Sequence, residues 1–102
     1  MSELVEFYRA RLDADEEWAA LVLEDPKASN LHGIARRLLA EAQAGKQILR
    51  DLEQAEFTLS KAGKGTTPHD LMTGAVNMLR RTIRLLSVPH AGHPDYRKEW
   101  RP

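Results

Sequence analysis

A long apolar repeat in the middle of the chain limits what the chain can fold into. Its members recur every seven residues, and they are Leu31, Leu38, Gly45, Leu52 and Leu59. Ala35, Ala42 and Leu49 broaden the same side of a helix. The repeat predicts one helix over about residues 30–62, roughly 45 to 50 Å long. The chain of 102 residues is long enough for one modest core, so we expect a single helical domain over residues 1–102.

Apolar spacing predicts two further helices. The first runs from about Ser2, a suitable N-cap, to Leu23. Its predicted buried face is Leu4, Phe7, Tyr8, Leu12, Ala19 and Val22. The third follows the glycine-rich turn at residues 63–66, takes Thr67 as its N-cap and ends before Pro89. Its predicted buried face is Leu71, Ala75, Val76, Leu79, Ile83 and Leu86.

The sequence therefore predicts an all-α fold. No segment alternates between apolar and polar residues as a half-buried strand would. We expect a small bundle of two or three main helices, with a long central helix and a short C-terminal helical tail that begins at Pro94.

Composition excludes several classes of protein. The chain has no cysteine, which rules out disulfides and cysteine-ligated metals. It has no apolar run long enough to cross a membrane, and we expect a cytoplasmic protein. Fifteen basic residues balance fifteen acidic ones, which argues against a uniformly basic nucleic-acid binder.

Gly45 is the position that decides how the central helix is covered. This helix is longer than the first, so part of its apolar face needs another partner. A second copy would supply it, with antiparallel central helices crossing at Gly45 in a homodimer. The predicted self-association residues are those of the seven-residue repeat: Leu31, Leu38, Gly45, Leu52 and Leu59. The alternative is a helix that bends at Gly45 and folds into a compact monomer.

Three groups of residues near the C-terminus are candidate functional sites. Arg80, Arg81 and Arg84 could contact nucleic acid, although cations near a helix C-terminus also offset its dipole. His90, His93 and Asp95 are possible metal ligands, but Gly92 and Pro94 interrupt their spacing. The third group is a candidate interaction surface whose rings either pack on the bundle or bind a partner: His93, Tyr96, Arg97 and Trp100.

Both ends of the chain resemble an uncharacterised family of small actinobacterial and phage-borne proteins of unknown function. The resemblance rests on residues 4–16 and 84–102 and, more loosely, on residues 38–49 in the central helix. Its most specific part is the tail pattern P-x-x-x-H-P-D-Y-x-x-x-W from Pro89 to Trp100. Family members often carry a Trp-containing and a Cys- and Gly-rich insertion, and this chain lacks both. The resemblance implies no established activity, substrate or cofactor.

These observations favour a non-enzymatic interaction or adaptor protein that self-associates, with a possible link to phages or mobile elements. A nucleic-acid-binding accessory protein that uses Arg80, Arg81 and Arg84 is the alternative. A small metal-dependent enzyme that uses His90, His93 and Asp95 is a weaker third interpretation. We expect no cofactor and no resident metal.

Overall fold

The computed structural model describes residues 2–102 and is built from three α-helices. These are α1 (Glu3–Glu24), α2 (His32–Lys61) and α3 (Thr67–Leu86). Short 3-10 segments lie at Pro26–Leu31, which is kinked at Ala28, at Val88–His90 and at Lys98–Trp100. No strand occurs within residues 2–102. The predicted all-α bundle with a long central helix is confirmed.

One side-chain cap begins α1, and another begins the 3-10 segment that follows it. The Ser2 hydroxyl accepts a hydrogen bond from the Val5 backbone N–H at 3.2 Å, as predicted for an N-cap. At the other end, the Asp25 carboxylate accepts from the Lys27 backbone N–H at 2.9 Å. Pro26 follows directly, so the chain enters a 3-10 segment before α2 begins.

Helix α2 is continuous through Gly45, and α1 packs against it there. The two helices run antiparallel, since Arg9 pairs with Glu53 at 2.6 Å while Lys46 pairs with Asp13 at 2.6 Å. A methyl group added at Gly45 would lie 2.5 Å from the Tyr8 hydroxyl and 3.0 Å from both Leu12 methyl carbons. The close approach at Gly45 is therefore made by α1 of the same chain, and α2 does not bend at Gly45.

Helix α3 begins one residue earlier than predicted. Thr66, not Thr67, is the N-cap, because its hydroxyl accepts from the His69 backbone N–H at 3.3 Å. The helix packs antiparallel on the C-terminal half of α2, where Arg80 donates to Glu56 at 2.8 Å. Because the helices are antiparallel and Glu56 lies beside Arg80, the last residue of α2, Lys61, lies beside residue 75 of α3. The first two turns of α3 thus extend past the end of α2.

The predicted buried face of α3 is correct only in its middle. Val76 and Ile83 are buried, and Ala75 and Leu79 are half-buried. Leu71 is 64% exposed, because it lies on the outer side of α3 and in the part of that helix that projects beyond α2. Leu86 is also exposed.

The tail folds back without forming the helix predicted at Pro94. The Asp95 backbone N–H donates to Nδ1 of His93 at 3.1 Å, which closes a turn at the point where the helix would have begun. Only the single 3-10 turn Lys98–Trp100 forms beyond it.

The core lies where α2 contacts both neighbouring helices. Its buried members are Val5, Tyr8, Leu12, Ala42, Leu49, Leu52, Val76 and Ile83. The molecule is elongated, 59 × 26 × 16 Å, with a radius of gyration of 16.7 Å. A compact domain of this length would have a radius of about 13 Å. None of the helices within residues 2–102 has the length and apolarity needed to cross a membrane.

Candidate interaction face

A groove lies beside the N-terminal half of α2. Helix α3 ends at Leu86, next to the middle of α2, so the described chain places α1 on one side of this half and no helix on the other. The resulting α2 groove has a volume of about 370 Å³. Its apolar lining consists of Leu12, Leu38, Ala42, Ala44, Gly45, Ile48, Leu86 and Pro89, and Asp15, Glu41 and His90 supply its polar groups.

The α2 groove occupies the position that a longer α3 would fill. Ile34 and Leu38 lie on the same side of α2 as Ile48 and Leu59, by helical periodicity. Ile48 and Leu59 pack against the core where α3 is present. Ile34 is 61% exposed because the helix that would cover it has already ended.

Helix α3 carries a matching apolar row on its outer side. The row consists of Leu71, Met78 and Leu85, spaced seven residues apart and 64%, 66% and 47% exposed. Leu86, next to the last member of this α3 row, lines the α2 groove. The α3 row and the α2 groove therefore lie side by side on one face of the molecule.

Two titratable groups that line the groove, and Tyr8 beside Gly45, have perturbed pKa values. Burial raises the pKa of Asp15, against the opposing charges of His90 and Arg11, and Glu41 adds to the rise. Burial lowers the pKa of His90, against the Asp15 carboxylate, while Arg11 and His93 add to the decrease. Burial, with a contribution from Asp15, raises the pKa of Tyr8. The groove wall thus favours neutral side chains, as an apolar contact surface does.

The structure separates the residues predicted to mediate self-association. Gly45 and Leu52 are buried within the chain, Leu38 and Leu59 are half-buried, and only Leu31 is exposed. The crossing point expected at Gly45 for a second copy is filled by Tyr8 and Leu12 of α1. Of the five, only Leu38 and Gly45 line the groove.

Sequence reasoning did not single out three exposed members of this face as interaction residues: Ile34, which was assigned to the apolar stripe of α2, Met78 and Leu85. A signal for the α3 row existed in the sequence, because Leu71, Met78 and Leu85 repeat every seven residues. A second apolar pattern on the same helix, through Val76 and Ile83, predicts the buried face, and it does form the core.

The rings of the tail pack around Phe7 of α1. Their centroids lie 5.5 Å (His93), 5.8 Å (Tyr96) and 5.2 Å (Trp100) from that of Phe7. Arg97 forms an ion pair with Glu3 and lies 5.7 Å from the Trp100 ring. The candidate surface of His93, Tyr96, Arg97 and Trp100 is therefore folded onto the bundle through its rings, while Arg97 stays exposed.

The two remaining groups are not brought together as single sites. His90 lies at the groove, whereas His93 is turned towards Phe7 and the Asp95 backbone. Among residues 2–102, no three His, Asp or Glu side chains are placed to hold a metal ion. Arg80 and Arg84 line a common cavity on α3, and Arg81 does not line it.

Comparison with known proteins identifies a family alone. The model of a family of unknown function, DUF6221, matches residues 1–102. No curated protein and no solved structure matches the chain.

Proposed function

Because the chain belongs over its whole length to DUF6221, a family of unknown function, we propose its function from the candidate interaction face. The protein is a non-enzymatic helical interaction protein that forms a homodimer. The α3 row of each copy lies in the α2 groove of the other.

The observation that carries this proposal is the pairing of the α3 row and the α2 groove on one face. The α3 row runs from Leu71 to Leu85, and the uncovered side of α2 runs from Ile34 to Ile48. Both stretches span about 21 Å, at 1.5 Å per residue. The second copy's α3 has the length and apolarity to occupy the position that the first copy's α3 leaves empty.

A two-fold axis satisfies both halves of the contact at once. In an antiparallel, side-by-side pair, the α3 row of each copy meets the α2 groove of the other, which gives a closed isologous dimer. Burying a Leu or Met side chain contributes about 1.5–3 kcal/mol, and the pair buries two α3 rows. The lowered pKa of His90 favours its neutral form, which reduces the cost of covering the groove.

Light scattering of charge-introducing variants tests the dimer. We expect Met78→Glu to be monomeric, because it would place a carboxylate in an apolar groove. Phe57→Glu is the matched control, since Phe57 is similarly exposed but lies half a turn around α2 from Ile48. It should remain dimeric. Monomeric wild-type protein, or equal loss of the dimer in both variants, would contradict the proposal.

Mixing two monomeric variants tests which surfaces meet. Ile34→Lys damages the groove, and Leu71→Glu damages the row. Residues 71–85 of one copy lie along residues 34–48 of the other, so Ile34 faces Leu71 of the second copy. In a mixed pair, the intact row of the first variant meets the intact groove of the second, and the introduced Lys faces the introduced Glu. We expect the mixture to form heterodimers. Two variants that stay monomeric when mixed would show that Ile34 and Leu71 do not face each other.

The cytoplasmic location and the link to phages or mobile elements stay predictions. The same holds for nucleic-acid binding through Arg80, Arg81 and Arg84, which the candidate interaction face does not require.

A further inference from the structure

A second cavity lies on the other flank of α3, where three arginines converge. It is formed by the start of α1, the second half of α3 and the last turn of the tail. Its volume is about 260 Å³. The arginines that line it are Arg80, Arg84 and Arg97, which the sequence separates by up to seventeen positions.

The lining of this arginine cavity is amphipathic. Leu4, Val5, Ile83 and Trp100 supply apolar surface. Ile83 is fully buried beneath the cavity, whereas Trp100 is half-buried at its edge. A ligand that fits must therefore have an apolar body as well as a charged group.

The cavity lining has a net charge of one positive unit, which suits a ligand with one negative charge. Glu3 and Glu99 also line the cavity, so its three arginines exceed its acids by one. Arg97 is paired with Glu3, and Arg80 with Glu56 at 2.8 Å. Within residues 2–102, the Arg84 guanidinium has no hydrogen-bond or ion-pair partner. Arg84 is thus the cation left available to a ligand.

We propose that the arginine cavity is a binding site for a small organic monocarboxylate with an apolar body. The carboxylate accepts hydrogen bonds from the guanidinium of Arg84, whose planar fork suits a bidentate contact. The apolar body packs between Ile83, Leu4 and the Trp100 ring. This site is distinct from the candidate interaction face, because the α2 groove lies on the opposite flank of α3 and shares no lining residue with it.

Titration with benzoate tests the site directly. Benzoate combines one carboxylate with a ring of suitable size, and Trp100 reports its binding by fluorescence in a Trp18→Phe background. Benzoate should bind saturably in the millimolar range and shift the Trp100 indole N–H signal in nuclear magnetic resonance spectra. Benzyl alcohol, which lacks the charge, should bind about tenfold or more weakly, as expected for loss of a charge-assisted hydrogen bond.

Two arginine variants separate a specific contact from general positive charge. Arg84→Gln should weaken benzoate binding about tenfold or more, because it removes the unpaired cation. Arg81→Gln is the control, since it removes the same charge from an exposed neighbour that does not line the cavity. It should leave the affinity unchanged. The proposal is overturned if benzoate does not bind to the folded protein, if both variants weaken binding equally, or if benzyl alcohol binds as tightly as benzoate.

Discussion

Gly45 is the residue at which the packing of α1 on α2 is closest. Tyr8 and Leu12 occupy the space where a side chain would lie, and both are buried. Replacing glycine by alanine in a helix normally stabilises it by about 1 kcal/mol. Here the added methyl group must displace two packed side chains, and overpacking of this kind costs about 1–3 kcal/mol.

We therefore expect Gly45→Ala to lower the free energy of unfolding by roughly 1 kcal/mol, measured by urea denaturation. Gly33→Ala in the same helix is the control, because an added methyl group there meets no atom within 4 Å. It should leave stability unchanged or slightly higher. A Gly45→Ala protein at least as stable as Gly33→Ala would mean that α1 does not approach α2 closely.

His90 makes the stability of the molecule depend on pH. Burial lowers its pKa, so the unfolded chain binds this proton more readily than the folded chain. The contribution of neutral His90 is therefore complete above about pH 6.5 and is lost as the pH falls through the folded pKa. Asp15, whose pKa burial raises, acts with the opposite sign, because its contribution is lost as the pH rises.

Urea midpoints measured from pH 8 down to about pH 4 separate these two groups, because the change due to His90 lies below about pH 6.5 and the change due to Asp15 begins at about pH 4. His90→Gln should flatten the loss of stability on acidification, whereas Asp15→Asn should leave a steeper loss than the wild type has. The groups that face His90 are Asp15, Arg11 and His93, and all three are retained in the first variant. An unchanged pH profile in His90→Gln would contradict the assignment.

At the scale of the elements, the two ends of α3 differ in their tertiary contacts. Val76 and Ile83 anchor the second half in the core. The first two turns project beyond α2, with Leu71 exposed and Gly74 facing open space. Helical turns without tertiary packing have little stability of their own.

Hydrogen exchange should therefore divide α3 into two parts. In a dilute monomer, such as Met78→Glu, amides of residues 70–74 should exchange far faster than those of residues 79–86. In the wild-type dimer, the first group should gain protection, because the second copy's groove covers it. Equal exchange along the whole of α3 in the monomer would show that the projecting turns are held by contacts within the chain.

At the scale of the whole molecule, the elongated shape distinguishes modes of assembly. The single chain has a Cα radius of gyration of 16.7 Å and a long axis of 59 Å. Side-by-side pairing doubles the mass but adds little to the long axis, whereas end-to-end pairing would nearly double that axis.

Small-angle X-ray scattering over a concentration series measures this difference. We expect the mass to double on dimerisation while the maximum dimension stays near that of one chain plus its hydration layer. A dimer whose maximum dimension approaches twice the single-chain value would exclude the pairing of the α3 row with the α2 groove.

Much of the fold followed from the sequence because it depends on local interactions. The Ser2 cap, the break at Asp25 and Pro26 and the length of α2 are each set by residues within one or two turns. The predicted tail helix does not form, and this too is the result of a local interaction. A local contact between His93 and the Asp95 backbone competes with helix formation there, and residue spacing does not reveal it.

The candidate sites could be predicted only in part. The sequence singled out Arg80, Arg84, Arg97 and Trp100, but as members of two unrelated groups. Leu4 and Ile83 were predicted to be buried, and the structure places them beneath the arginines. The tail reaches this position because its rings pack on Phe7, a contact between residues about ninety positions apart.

The sequence by itself determined that this protein is a helical bundle, where its helices lie and which side of each is apolar, because periodicity and caps are properties of a single helix. Only the tertiary structure decided that α1 fills the space at Gly45 and that α3 is displaced along α2. That displacement creates the α2 groove, while the packing of α3 through Val76 and Ile83 leaves the α3 row exposed on its outer side. The offset between two antiparallel helices depends on how their side chains interdigitate and on how the loop closes, and neither helix specifies it alone.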